Sequence, residues 1–128
     1  MSLANAKAVT TLTASDVDRA KSFWTEKLGL KMAANQADPA GITLEAGDGT
    51  EIFIYNSGAP KATNTVVSFK VDNVLATVNE LKEKGVTFET YDMEEIKTDE
   101  NNIATWEEKY QAAWFKDSEG NVVCVGNV

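Results

Sequence analysis

One structural sentence is written twice in this chain. The stretch "VTTLTASDVDRAKSFWTEKLGLKM" (9–32) lines up with "VVSFKVDNVLATVNELKEKGVTFE" (66–89), with Val9 over Val66 and Gly29 over Gly85. In the first copy Val9, Thr11 and Thr13 alternate with Thr10, Leu12 and Ala14, the period of two of a strand. Ser15 or Asp16 then caps a helix whose apolar stripe is Val17, Ala20, Phe23, Trp24 and Leu28, and Gly29 stops it in a left-handed conformation. The second copy has a strand over 66–71, Asp72 as its cap, Val74, Val78 and Leu81 as its stripe, and Gly85 as its stop. Two copies of one supersecondary unit must share a core, because neither buries enough apolar surface alone.

Three more strand-like runs follow in each half, separated by turn residues. They span 31–34, 42–45 and 51–56 in the first half, and 87–91, 111–116 and 121–126 in the second. Both halves therefore read βαβββ. The expected organisation is a single domain, 1–128, with repeats at about 7–56 and 64–127 joined by a linker over 57–63. The fold class is α+β, with the repeats forming a curled mixed sheet around a cavity. One stretch, "DMEEIKTDENNIATWEEKYQ" (92–111), is longer than its counterpart and acidic. Its Trp106 and Tyr110 favour a short ordered helix or turn and stand as candidates for ligand or dimer contact.

Composition removes several chemistries. The 128 residues include no histidine, so Ser-His-Asp and Cys-His nucleophiles and His-ligated zinc have no basis here. Twelve basic against twenty acidic residues give a net charge of −8, which repels phosphate backbones and anionic membranes. Neither nucleic acid nor membrane is expected as a partner. One cysteine makes no internal disulfide, no run of apolar residues spans a bilayer, and a cytoplasmic location is the expectation.

The paired units, with "SDVDRAKSFWTEKLGLK" in the first and "FKDSEGNVVCV" closing the second, resemble the vicinal oxygen chelate superfamily of glyoxalases, bleomycin-resistance proteins and extradiol dioxygenases. The resemblance runs over roughly residues 7 to 127. It implies one divalent metal held by ligands from the first and last strand of each unit. Carried over by motif, those positions fall on Val9, on Ile52 (or on Glu51 if the register slips by one residue), on Val66 and on Cys124. Two valines, an isoleucine and a thiol make no site for a hard or borderline cation. No metal and no other cofactor is therefore expected. The resemblance also implies a homodimer.

The alternation points to a cavity wall of Val9, Thr11, Thr13, Ile52, Ile54, Asn56, Val66, Ser68, Lys70, Val122, Cys124 and Gly126, mostly apolar with a few polar groups. Such a surface suits an organic ligand. The resulting expectation is a metal-independent protein that binds a small molecule, in the manner of bleomycin-resistance proteins and with a cationic or aromatic ligand. One alternative is a glyoxalase-like lyase or isomerase using the same cavity, with or without a divalent metal, in which Glu51, Lys70 or Cys124 acts as acid or base. The other is a degenerate member that serves only as a dimeric interaction module. Cys124 reads first as a buried structural thiol, Trp24 as core, and Lys70 as the partner of a nearby protein carboxylate.

Overall fold

The computed structural model describes residues 3–36 and 38–128. The first unit is β1 (Thr10–Ala14), α1 (Val17–Ser22), β2 (Lys31–Met32), β3 (Gly41–Glu45) and β4 (Glu51–Asn56). The second is β5 (Thr65–Lys70), α2 (Val74–Glu83), β6 (Ala104–Trp106), β7 (Tyr110–Lys116) and β8 (Val122–Gly126). The expected α+β fold thus resolves into two four-stranded mixed sheets, ordered β1-β4-β3-β2 and β5-β8-β7-β6. In each, the first strand pairs parallel with the last and the other pairings are antiparallel. No described helix is long and apolar enough to cross a membrane.

Helix boundaries follow the capping chemistry. Asp16 accepts the Arg19 N–H at 3.0 Å and starts α1. In the second unit Asn73, not Asp72, is the cap, accepting from the Ala76 N–H at 3.0 Å; Asn73 is the residue that the repeat itself sets over Asp16. Gly29 and Gly85 end the helical segments at φ +79° and +90°, where a Cβ would be strained. The end of α1 departs from expectation, because Phe23–Lys27 continues as a π-helical turn in which the Leu28 N–H reaches back to the Phe23 carbonyl.

The strand expected at 87–91 is absent as a strand: only Phe88 bridges, to Phe115. Phe88 is drawn into the core edge-on to Phe115, with centroids 5.3 Å apart, and the chain then turns through a bridge between Asp92 and Lys97. The strand equivalent to β2 is instead β6, inside the acidic stretch. Trp106 and Tyr110 face each other across a turn whose Glu107 and Glu108 both have positive φ, so this stretch is a hairpin and not a helix.

The two units meet through their helix-bearing faces. Leu12, Ala14, Ile52 and Ile54 of the first sheet and Ala113, Phe115, Val123 and Val125 of the second belong to one continuous core with both helices. The π-helical turn crosses the seam: Phe23 lies 6.3 Å from Phe115 and the fully buried Trp24 lies 6.1 Å from Phe69.

A polar clasp closes the same seam. Asp117, in the β7–β8 turn, accepts the Trp24 indole N–H at 3.0 Å, the Asn121 side chain at 2.9 Å, and the Glu119 and Asn121 backbone N–H groups. Asn121 in turn donates to the Thr13 carbonyl. Glu119 reaches the start of α1, where one oxygen accepts the Ser15 and Asp16 N–H groups at 3.0 Å and the other accepts Arg19 Nε at 2.7 Å. The matching turn of the first unit, Gly47–Gly49, makes no hydrogen bond to α2 among the described residues.

The Arg19 guanidinium is the main reason the Glu119 carboxyl is pulled down to about 2 from an ordinary 4.5; burial opposes this, and the Asp16 N–H and the Ser118 and Ser15 hydroxyls reinforce it. A depressed carboxyl stabilises the fold fully above its unfolded value and loses that contribution as pH falls toward 2. Glu119→Gln should therefore cost about 2 kcal/mol at pH 7. Urea unfolding at pH 7 and at pH 3 checks this, with the gap between variant and wild type narrowing at the lower pH.

Candidate functional site

With the helix-bearing faces packed together, the opposite face of each sheet is left open. On the first, the register pairs Thr11 with Phe53 and Thr13 with Tyr55. The Phe53 and Tyr55 rings stack at 5.8 Å, 5° from parallel. Glu51 shares this face at the strand start and pairs with Lys7 at 3.2 Å. The second open face carries Ser68 opposite Cys124 and Trp114 on the other side of Cys124. Trp114 is met edge-on by Tyr91 at 5.5 Å and by Trp106 at 6.3 Å. The Trp106 indole donates to the Glu95 carbonyl at 3.1 Å, tying the acidic segment to this cluster.

Several expected wall residues lie elsewhere. Ile52 and Ile54 belong to the core under the helices, and Asn56, paired with Ala14, shares that side of the strand. Thr10 pairs with Ile52, so the β4 residue level with Val9 on the open face is Glu51. Alternation alone did not reveal this, because Phe53 and Tyr55 are as apolar as Ile52 and Ile54. The same ambiguity hid Phe53, Tyr55, Tyr91 and Trp114 as site residues.

Val66 is the extra residue of a bulge, since the pairing steps from Thr65 with Val122 to Val67 with Val123. It borders a cavity of about 200 Å³ with Thr11, Thr13, Tyr55 and the linker residue Pro60. Trp106 and Tyr110 are paired at the hairpin end on the Trp114 side, each more than a third exposed.

The three acid–base candidates are not assembled. Lys70 and Cys124 border one cavity of about 220 Å³ together with Ser68 and Gly126. Glu51 is on the other unit. Lys70 is exposed and forms no ion pair among the described residues, contrary to the carboxylate partner expected for it. Burial pushes the Cys124 thiol up from its ordinary value, against smaller downward effects from Ser68 and the Ala113 backbone.

The comparisons with known proteins agree with this architecture. The family model for the Glyoxalase/Bleomycin resistance protein/Dioxygenase superfamily matches residues 8–125. This chain belongs to that superfamily. It is 31% identical over 114 residues to the uncharacterized protein YetH of Bacillus subtilis (strain 168), covering 84% of this chain and 85% of YetH. In fold it is similar to lactoylglutathione lyase from Agrobacterium tumefaciens, with a TM-score of 0.65, 20% identity, and 95% and 92% of the two chains covered. It is likewise similar to TnmS3, an antibiotic binding protein from Streptomyces sp. CB03234, with a TM-score of 0.61, 22% identity, and 94% and 95% covered.

The residues present do not fit a family metal. Even with Glu51 substituted for Ile52, the four positions supply one carboxylate, one thiol and two valines. No three His, Cys, Asp or Glu side chains gather at a cation site among the described residues.

A raised thiol pKa means little thiolate at mildly alkaline pH. Native Cys124 should accordingly react with iodoacetamide at pH 8 at least about tenfold more slowly than in urea-unfolded chain. A mass-resolved time course measures the ratio.

Proposed function

We propose that this protein is a metal-independent small-molecule binder that works as a homodimer in the cytoplasm. The observation that carries the reading is the aromatic surface left free on both open faces: the stacked Phe53 and Tyr55 on one, and Trp114 with Tyr91 and Trp106 on the other. Within one chain these faces point away from the shared core, so each is half of a pocket. A second copy supplies the facing half, with the first unit of one chain covering the second unit of its partner. Rigid aromatic walls around a cleft favour a flat, aromatic ligand. The net charge of −8 and the acidic residues beside Trp106 favour a cationic one. The fold-level likeness to TnmS3, itself described as an antibiotic binding protein, points the same way.

An enzymatic reading, as a lyase or isomerase of the same cavity, would rest on Glu51, which lies level with Val9 on the open face with Glu45 as its cross-strand neighbour. Glu51 is held by Lys7 at 3.2 Å. A pure interaction module would retain the dimer and bind nothing.

Native mass spectrometry of protein drawn gently from its own cells should show a dimer carrying an organic adduct. A tightly held divalent ion on each chain would return it to the metalloenzymes, and a monomer at micromolar concentration would refute the shared pocket. With 9-aminoacridine as the probe, Phe53→Ala and Trp114→Ala should each weaken binding roughly tenfold or more, since base-type stacking on an aromatic side chain is worth about 1–3 kcal/mol. Fluorescence titration gives the result, and unchanged affinity in both variants would sink the aromatic pocket.

A further inference from the structure

On the helix side of the second sheet, away from both open faces, lies a cavity of about 180 Å³. Its floor is Leu81, Phe115 and Val125, all buried; its outer wall is Leu28 and Leu30 from just past the first unit's helix, with Phe69 between. The π-helical turn runs into its wall: the Leu28 N–H reaches the Phe23 carbonyl and the Leu30 N–H reaches the Trp24 carbonyl, and both leucines line the cavity. π-helical turns recur at functional sites.

The polar groups of this cavity are already spoken for. Thr77 donates its hydroxyl to the Asn73 carbonyl. Glu80 and Lys84 stand at the mouth, paired with each other at 3.9 Å and open to water. A ligand inside would therefore meet no free donor and no uncompensated charge, and a charged group could not be buried there without a partner. The volume is enough for one benzene-sized ring, since an enclosed apolar cavity of about 150 Å³ takes up benzene, although this one opens to water past Glu80 and Lys84. Two phenylalanine rings line it.

We infer that this seam cavity is a second binding site, for a neutral monoaromatic molecule, separate from the open-face pocket. It bridges the two units, so its occupant stabilises their packing. Its lining residues Phe69, Phe115 and Val125 alternate along their strands with Ser68, Trp114 and Cys124, so the two sites lie on opposite faces of one sheet.

The test is a titration of the intact protein with toluene, followed by methyl-resolved carbon–proton NMR. Saturable shifts are expected at Leu28, Leu81 and Val125, with a dissociation constant on the order of 1 mM. Val9 and Val66, which report the open faces, should stay in place. Benzoate and benzylamine, of the same size but charged, should bind at least about tenfold more weakly. Leu30→Trp and Val71→Phe each fill the cavity, and whichever of them folds should lose toluene binding by a similar factor. Shifts without saturation, shifts centred on Val9 and Val66, equal binding of the charged analogues, or undiminished binding in a folded filled variant would each overturn the site. The wild-type shift map alone decides where toluene binds, whatever happens to the variants or to the open-face pocket.

Discussion

The carboxylate of Glu119 and its neighbour Asp117 hold the two halves of this protein in one arrangement. Apolar packing across the seam supplies most of the favourable free energy, but it is non-directional and would tolerate a slide of one unit over the other. The clasp does not tolerate it. Glu119 takes the first backbone N–H groups at the start of α1 and the Arg19 side chain, while Asp117 takes the one polar atom of the buried Trp24. An ion pair between a buried carboxylate and an arginine that stays half in water is weak evidence of net stability. Here its worth lies in register, since only one placement of the second hairpin satisfies both carboxylates.

That placement decides what the open faces become. Because the helix-bearing faces are consumed within the chain, the aromatic residues Phe53, Tyr55 and Trp114 are set on outward surfaces. A single strand thereby has two faces: Val123 and Val125 fill the core, and Cys124 between them turns to the opposite side of the sheet. At three of the positions where the resemblance implies chelating residues, Val9, Val66 and Cys124 supply two isopropyl groups and a thiol.

Much of the fold was legible in the sequence, because the repeat checks itself: a cap, stripe and stop found at Asp16 and Gly29 recur at Asn73 and Gly85. The same alignment sets Asn73 rather than Asp72 over Asp16, and Asn73 is the cap. The strand expected at 87–91 failed. Its alternation comes from Phe88 packing into the core, while the pairing partner of β7 sits beyond an insertion that the first unit lacks. The site was harder to read. Which face of β4 meets the helices depends on register between distant strands, and both faces are apolar. Glu119 gave no local sign of burial either, sitting in what reads as a solvated turn; the available clue was a core tryptophan whose N–H required an acceptor nearby.

The clasp is also one-sided. The turn after β7 grips α1, but the corresponding turn at Gly47–Gly49 leaves α2 alone. The two halves have thus stopped being interchangeable. A chain built from two first units would have no grip, and one built from two second units would present a start of helix without Ser15 or Arg19 to be gripped. Whatever ancestral unit was doubled, the present pair behaves as a lock and its key, and neither half remains a spare for the other.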